Sequence, residues 1–184
     1  MKINVFGSNA ELPDHLRGQI LSLIRIHWHT TVGDYAGPYA LPEEWQPAHV
    51  VGTKGEVILS YAGVVRRQIE HRGEVLKTYG LSSVYTFPFY RRAGLGSQVV
   101  RRATDEIEQA GDGDLGLLFT MPELEPFYRR AGWQAMPGLT CLIGDPAQPT
   151  IHGDLPMMLF LSARGQRHRP AFERGRLYVG EHPW

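Results

Sequence analysis

Leu16, Ile20, Leu23, Ile24 and Trp28 recur at spacings of three and four, which predicts an amphipathic helix over 15–30, with Pro13 and Asp14 as start signals. The stretch that follows, TVGDYAGPYALPEEWQP, has no period and reads as an aromatic-rich loop with one short helical turn near Pro42–Trp45. From His49 the pattern changes to strands. HVVGT, VILSYAGVVRRQIEH and EVLKTYGLSSVYTF are divided by turn signals at Lys54-Gly55 and Arg72-Gly73, which predicts an antiparallel meander. Leu95, Val99, Val100, Ala103 and Ile107 define a helix over 95–110, ended by GDGD at 111–114. GLLFT at 116–120 is a short buried strand, and LEPFYRRAG at 124–132 a short helix closed by Gly132. WQAMPGLTCLIG then reads as one strand with an irregular centre at Pro137-Gly138. Strand-like pieces follow at 155–162 and 176–180, and the basic run between them, with Arg164, Arg167, His168 and Arg169, reads as a solvated loop. Together these predict one α+β domain over residues 1–184, with a mixed, mostly antiparallel central sheet flanked by helices.

Charge and composition narrow the function. Nineteen basic residues against nineteen acidic ones give no net charge, which argues against a nucleic-acid binder, so any anion site must be local. Cys141 is the only cysteine and has no partner for a disulfide, the chain opens without a basic-then-apolar leader, and no apolar run reaches membrane-spanning length. A cytoplasmic, soluble protein is expected. His27 and His29 lie two apart, on different sides of a helix, with no third ligand nearby, so no metal is expected.

The local chemistry concentrates at Arg91-Arg92-Ala93-Gly94-Leu95-Gly96, between the end of a strand and the start of a helix. A diphosphate needs converging backbone N–H donors, and a glycine turn entering a helix N-terminus provides them together with the favourable end of the helix dipole. Two arginines add charge-assisted bonds. The plainer reading is a turn before a surface helix with two solvated arginines. There is no Gly-Lys-Ser/Thr for a mononucleotide loop, and the three-glycine spacing of a dinucleotide site is missing.

The run Val84-Tyr85-Thr86-Phe87-Pro88-Phe89-Tyr90-Arg91-Arg92-Ala93-Gly94-Leu95-Gly96 resembles the acetyl-CoA signature of the GCN5-related N-acetyltransferases. Phe127-Tyr128-Arg129-Arg130-Ala131-Gly132-Trp133 resembles the second signature of that family. A narrower resemblance, to the aminoglycoside 2'-N-acetyltransferases, is carried by Glu43-Glu44-Trp45, Ala62-Gly63-Val64-Val65-Arg66-Arg67, the His71-Arg72-Gly73 turn and the final Trp184.

The resemblance implies that acetyl-CoA binds along Val84, Tyr85 and Thr86, with its diphosphate on the N–H groups of Arg92, Ala93, Gly94, Leu95, Gly96 and Ser97 beside Arg91. It implies that Tyr128 protonates the departing thiolate and that the chain end at Trp184 reaches the acceptor amine. One position departs from the pattern. Where similar enzymes carry a glutamate base, Ser82 stands here, and a serine is no base at neutral pH. The acceptor's proton must then leave through water held by Ser82 and Ser83, or through one of Asp34, Glu44, Asp154, Glu181, His27, His29 and His182. Asp34, Glu44, Asp154, Glu181 and Trp184 are the candidate acceptor-binding groups.

The implied activity is 2'-N-acetylation of an aminoglycoside, conferring antibiotic resistance. Few clustered carboxylates and many arginines favour a less cationic, carboxyl-bearing member such as kasugamycin. Transfer to another small amine or a peptide N-terminus, and a non-catalytic acyl-CoA sensor, stay open alternatives, as does a homodimer.

Overall fold

The structure, a computed structural model, describes residues 1–28 and 40–184. They fall into two units, Met1–Val65 with Leu81–Ala103, and Arg66–Gly80 with Thr104–Trp184.

In the first unit, helix α1 (Asp14–His27) buries Leu16, Ile20 and Ile24, the residues whose spacing predicts it. Their stripe packs with Leu12, Val51, Ile58 and Tyr61. The helix stops at His27, where the N–H of Trp28 closes on the Ile24 carbonyl at 2.8 Å. Strand β1 (Lys2–Phe6) is an element the hydrophobic pattern does not signal. It is five residues long and buries no residue fully, so its stability comes from antiparallel pairing with β2 (Ala48–Lys54), from Lys2↔Thr53 to Phe6↔His49. Strand β2 is buried along all but its last residue and pairs antiparallel with β3 (Val57–His71).

Strands β3 and β4 (Glu74–Thr86) are sheet neighbours joined by a two-residue turn. Arg72 (φ 54°) and Gly73 (φ 78°) are both left-handed, the geometry that a tight hairpin between twisted strands requires. After Thr86 a 3-10 turn at Pro88–Tyr90 leads to helix α2 (Leu95–Gln109), with Val99, Val100, Ala103 and Ile107 buried as their spacing predicts.

In the second unit, Thr78–Gly80 of β4 pair in parallel with the start of β5 (Leu115–Thr120), from Thr78↔Leu115 to Gly80↔Leu117. Helix α3 (Glu125–Arg129) follows β5, and Gly132 (φ 96°) takes the left-handed position beyond its end.

The segment expected as one strand is two. Strand β6 (Gln134–Ala135) pairs with β9 (Leu155–Phe160), which also pairs antiparallel with β5. Strand β7 (Leu139–Ile143) instead joins a second sheet with β8 (Thr150–Ile151) and β10 (Gly175–Gly180). The break falls where Pro137 has no N–H to donate and where a side chain on Gly138 would collide with the Glu173 carbonyl.

A second correction concerns the basic run read as a loop, which forms helix α4 (Ala163–Glu173). Its charged residues hide any period, yet Ser162 caps it by accepting the Gly165 N–H at 3.0 Å and donating to Asp114 Oδ1 at 2.7 Å. Gly165, Ala171 and Phe172 are its buried contacts, and Phe172 enters a core with Ile69, Leu76, Leu115, Leu117, Met158 and Leu177.

Candidate functional site

The first unit holds the candidate anion-binding turn and the strand that leads to it. Ser82 is buried, its hydroxyl 3.0 Å from that of Ser83. Ser83 has φ 50°, a left-handed conformation that a serine adopts at a cost, so β4 carries a strained position directly before Val84. Val84 is half-buried, and Tyr85 is buried with its ring 4.5 Å from that of His27.

The strand end is fixed by Ser60, whose hydroxyl donates to the Tyr85 carbonyl at 2.8 Å and lies 2.9 Å from the Thr86 hydroxyl. Arg91 folds back to donate from Nε to the Thr86 carbonyl at 3.1 Å. That bond occupies one of the two lone pairs on a carbonyl expected to serve a ligand.

Between the 3-10 turn and α2, Arg92 (φ 65°) and Gly94 (φ 76°) are both left-handed, and Arg91, Arg92, Ala93, Gly94 and Ser97 are exposed. A side chain at Gly94 would meet only open space. The first helical hydrogen bond is Gln98 N–H to the Gly94 carbonyl, at 3.2 Å, which leaves the N–H groups of Leu95, Gly96 and Ser97 without an intrahelical acceptor. No acidic side chain stands in the first turn to compete for them. Open backbone donors, the positive end of a fifteen-residue helix and two arginines make a turn that fits a diphosphate.

The second unit builds its chemistry on the far end of β5, whose successive residues point to opposite faces. Thr120 shares a side-chain hydrogen bond with Tyr128 on α3. Burial pushes the Tyr128 hydroxyl up to about 12 against the pull of that bond, so it carries its proton at neutral pH.

On the alternate register, Phe119 packs edge-on to His152, with centroids 4.5 Å apart, and lies 5.7 Å from the Trp184 ring. Trp184 donates from its indole N–H to the Leu117 carbonyl at 3.2 Å. The ring occupies the space a side chain at Gly80 would need. The Trp184 indole is therefore anchored on β5 at the last residue that pairs with β4.

His152 is a group the sequence reading passes over. It is half-buried, its Nε2 is 3.9 Å from Asp154 Oδ2, and burial lowers its pKa while Asp154 pulls it back up. The only signal in the sequence is a His-Gly-Asp run in a loop, which few patterns single out.

The remaining candidates divide between the units. Glu44 is exposed in the 3-10 turn Glu43–Trp45 of the first unit, while Asp154, Glu181 and His182 are exposed in the second. Asp34 and His29 lie outside the described residues. Of the basic run, Arg164 is engaged by Glu74 at 3.0 Å and by Asp114 at 3.6 Å, which takes it away from a substrate acid. Cys141 is buried and its thiol is pushed up to about 12, so it is inert. Among the described residues no cluster of three or more His, Cys, Asp or Glu can hold a metal, and no helix is long and apolar enough to cross a membrane.

Comparison with known proteins gives one family and one fold. Residues 20–136 match the family model described as an acetyltransferase (GNAT) domain. Among solved structures, Escherichia coli ElaA is similar at 15% identity and a TM-score of 0.60, over 86% of this chain and 99% of that one. An aminoglycoside 6'-N-acetyltransferase complexed with coenzyme A is 16% identical with a TM-score of 0.59, over 89% and 99% of the two chains. The aminoglycoside 6'-N-acetyltransferase from Enterococcus faecium is 16% identical with a TM-score of 0.57, over the same shares. No curated protein sequence matches the chain.

Proposed function

We propose, for a chain that belongs to the GNAT acetyltransferase family, that the enzyme transfers acetyl from acetyl-CoA to the 2'-amine of an aminoglycoside, a modification that confers antibiotic resistance. The observation that carries the donor half is the turn at Arg91–Ser97, with left-handed Arg92 and Gly94 and three open N–H groups at the start of α2. Val84, Tyr85 and Thr86 lead into it. Bound acetyl-CoA supplies the acetyl group as a thioester.

The chain's own groups then move two protons. As the carbon–nitrogen bond forms and the carbon–sulfur bond breaks, Tyr128, on one face of β5, gives its hydroxyl proton to the sulfur, while the amine, approaching from the face that carries Phe119 and Trp184, loses its proton to His152 beside them. Solvent restores both. Tyr128 enters with its proton in place, as any tyrosine does at neutral pH, and burial favours the neutral, proton-accepting form of His152. Ser82 holds no proton-accepting power, and its hydroxyl is paired with that of Ser83.

The acceptor reading rests on the sequence resemblance through Glu43-Glu44-Trp45, Ala62–Arg67 and Trp184, and on exposed carboxylates at Glu44, Asp154 and Glu181 for an ammonium-bearing substrate. Within that class, the less cationic, carboxyl-bearing kasugamycin is the acceptor we favour.

The test is thiol release from acetyl-CoA with a panel holding several aminoglycosides, kasugamycin, simple polyamines and a peptide N-terminus. Release with an aminoglycoside, acetylated at the 2'-amine, supports the proposal. Release only with other amines moves the acceptor class. Cofactor binding without release with any amine makes the protein a sensor.

A further inference from the structure

His49 lies on β2 diagonally across from Tyr61 on β3, and neither is exposed by more than 1%. A buried histidine of this kind needs both ring nitrogens satisfied, and here each has one partner. Nδ1 is 2.9 Å from the Tyr61 hydroxyl and Nε2 is 2.9 Å from Asn9 Oδ1. Asn9 is itself buried, and its amide nitrogen donates to the Leu41 carbonyl at 3.2 Å and to Glu43 Oε2 at 2.6 Å.

Those acceptors fix every proton. Because Leu41 and Glu43 only accept, the Asn9 nitrogen faces them and its oxygen faces His49. His49 must then donate from Nε2, and Nδ1 accepts from Tyr61. Burial holds the imidazole neutral, its pKa lowered to about 4 against the raising pull of Glu43. Every member is satisfied in one direction only.

Both ends of this relay return to one point. A side chain on Gly63 would stand 2.5 Å from Leu41 Cδ1, 3.0 Å from the Tyr61 hydroxyl and 3.6 Å from the Ser82 carbonyl. The glycine leaves the room into which Leu41 and Tyr61 close, beside the strand residues Ser82 and Ser83. An apolar core would fill this position without desolvating the Asn9 amide, the His49 ring, the Tyr61 hydroxyl and the Leu41 carbonyl, so the arrangement calls for a purpose beyond packing. Its outer end is the turn that presents Glu43 and Glu44 to solvent.

We infer that Asn9, His49 and Tyr61 are positioning residues for the acceptor, holding Leu41 and the Glu43–Trp45 turn in register with Ser82 and Ser83, so that the carboxylates of that turn meet the substrate's ammonium group. The inference rests on the acetyl-transfer reading for its acceptor, while the fixing of the turn stands apart from it. Asn9→Leu keeps the size of the side chain and removes both donors, and Tyr61→Phe removes one hydroxyl at the other end.

Amide hydrogen exchange and steady-state kinetics read the effect in the full-length protein. The N–H groups of Trp45 and Gln46, bonded at 3.1 and 2.9 Å to Pro42 and Glu43, should exchange about tenfold faster in Asn9→Leu while Val50 and Val51 keep their protection. The acceptor KM should rise about tenfold with acetyl-CoA affinity held, and Tyr61→Phe should shift both readouts in the same direction by less. Unchanged exchange overturns the relay, and altered exchange with an unaltered acceptor KM overturns its role in binding. Glu43→Ala, at the surface, carries the exchange readout if Asn9→Leu does not fold, and Tyr61→Phe then carries the acceptor KM. A parent protein that acetylates no amine fails the acetyl-transfer reading instead, and the exchange comparison still decides the relay.

Discussion

Ser82 matters at the scale of a single residue, because a hydroxyl stands where the sequence resemblance implies a base. His152 gains its assignment from that gap. If it accepts the amine proton, kcat/KM should fall on the acid side with a pKa below the ordinary histidine value, since burial lowers it and only the neutral ring can act. His152→Asn should remove that limb from the pH profile; a profile that keeps it assigns the limb to another group. Tyr128 gives the complementary expectation. Tyr128→Phe should lower kcat by about a hundredfold or more with acetyl-CoA affinity within about twofold, because the proton is needed only as the thiolate leaves. A stopped assay with binding measured separately checks it, and equal turnover would remove Tyr128 from the chemistry. The motif makes Tyr128 legible in the sequence, whereas His152 is 33 residues from Phe119 in the chain and meets it only through packing.

Two elements carry expectations of their own. Helix α4 is capped by Ser162, so Ser162→Ala should cost about 1 kcal/mol, read as a lower denaturant midpoint. An unchanged midpoint would mean that the Gly165 N–H finds another acceptor. The chain end is the second case. Trp184 fills the place of a Gly80 side chain and bonds the Leu117 carbonyl, so Gly80→Ala should displace the ring and destabilise the protein, while deleting Trp184 should raise the acceptor KM by roughly tenfold without weakening acetyl-CoA. Trp184→Phe keeps an aromatic ring and removes the indole N–H, so a KM held at the parent value in that variant assigns the effect to the ring's packing rather than to its bond to Leu117.

For the protein as a whole, three buried or half-buried histidines, His49, His71 and His152, all have lowered pKa values with burial as the leading cause. A histidine neutral in the fold binds fewer protons than in the unfolded chain, so stability is fully present above the ordinary value near 6.5 and is lost as pH falls towards the folded pKa. For His49 the window runs from about 6.5 to about 4 and amounts to roughly 3 kcal/mol. Urea midpoints measured across that range should fall with pH, less so in a His49→Gln variant; a flat profile in the parent would contradict the buried neutral state.

The periodicities of α1 and α2, the strand meander and both acetyltransferase signatures are readable in the chain because each depends on neighbours a few residues apart. The extra strand β1, the split at Pro137-Gly138, helix α4, the relay through Asn9, His49 and Tyr61, and the approach of His152 to Phe119 depend on partners tens of residues away. Their physical cause is pairing and burial between distant segments, which a local pattern does not encode.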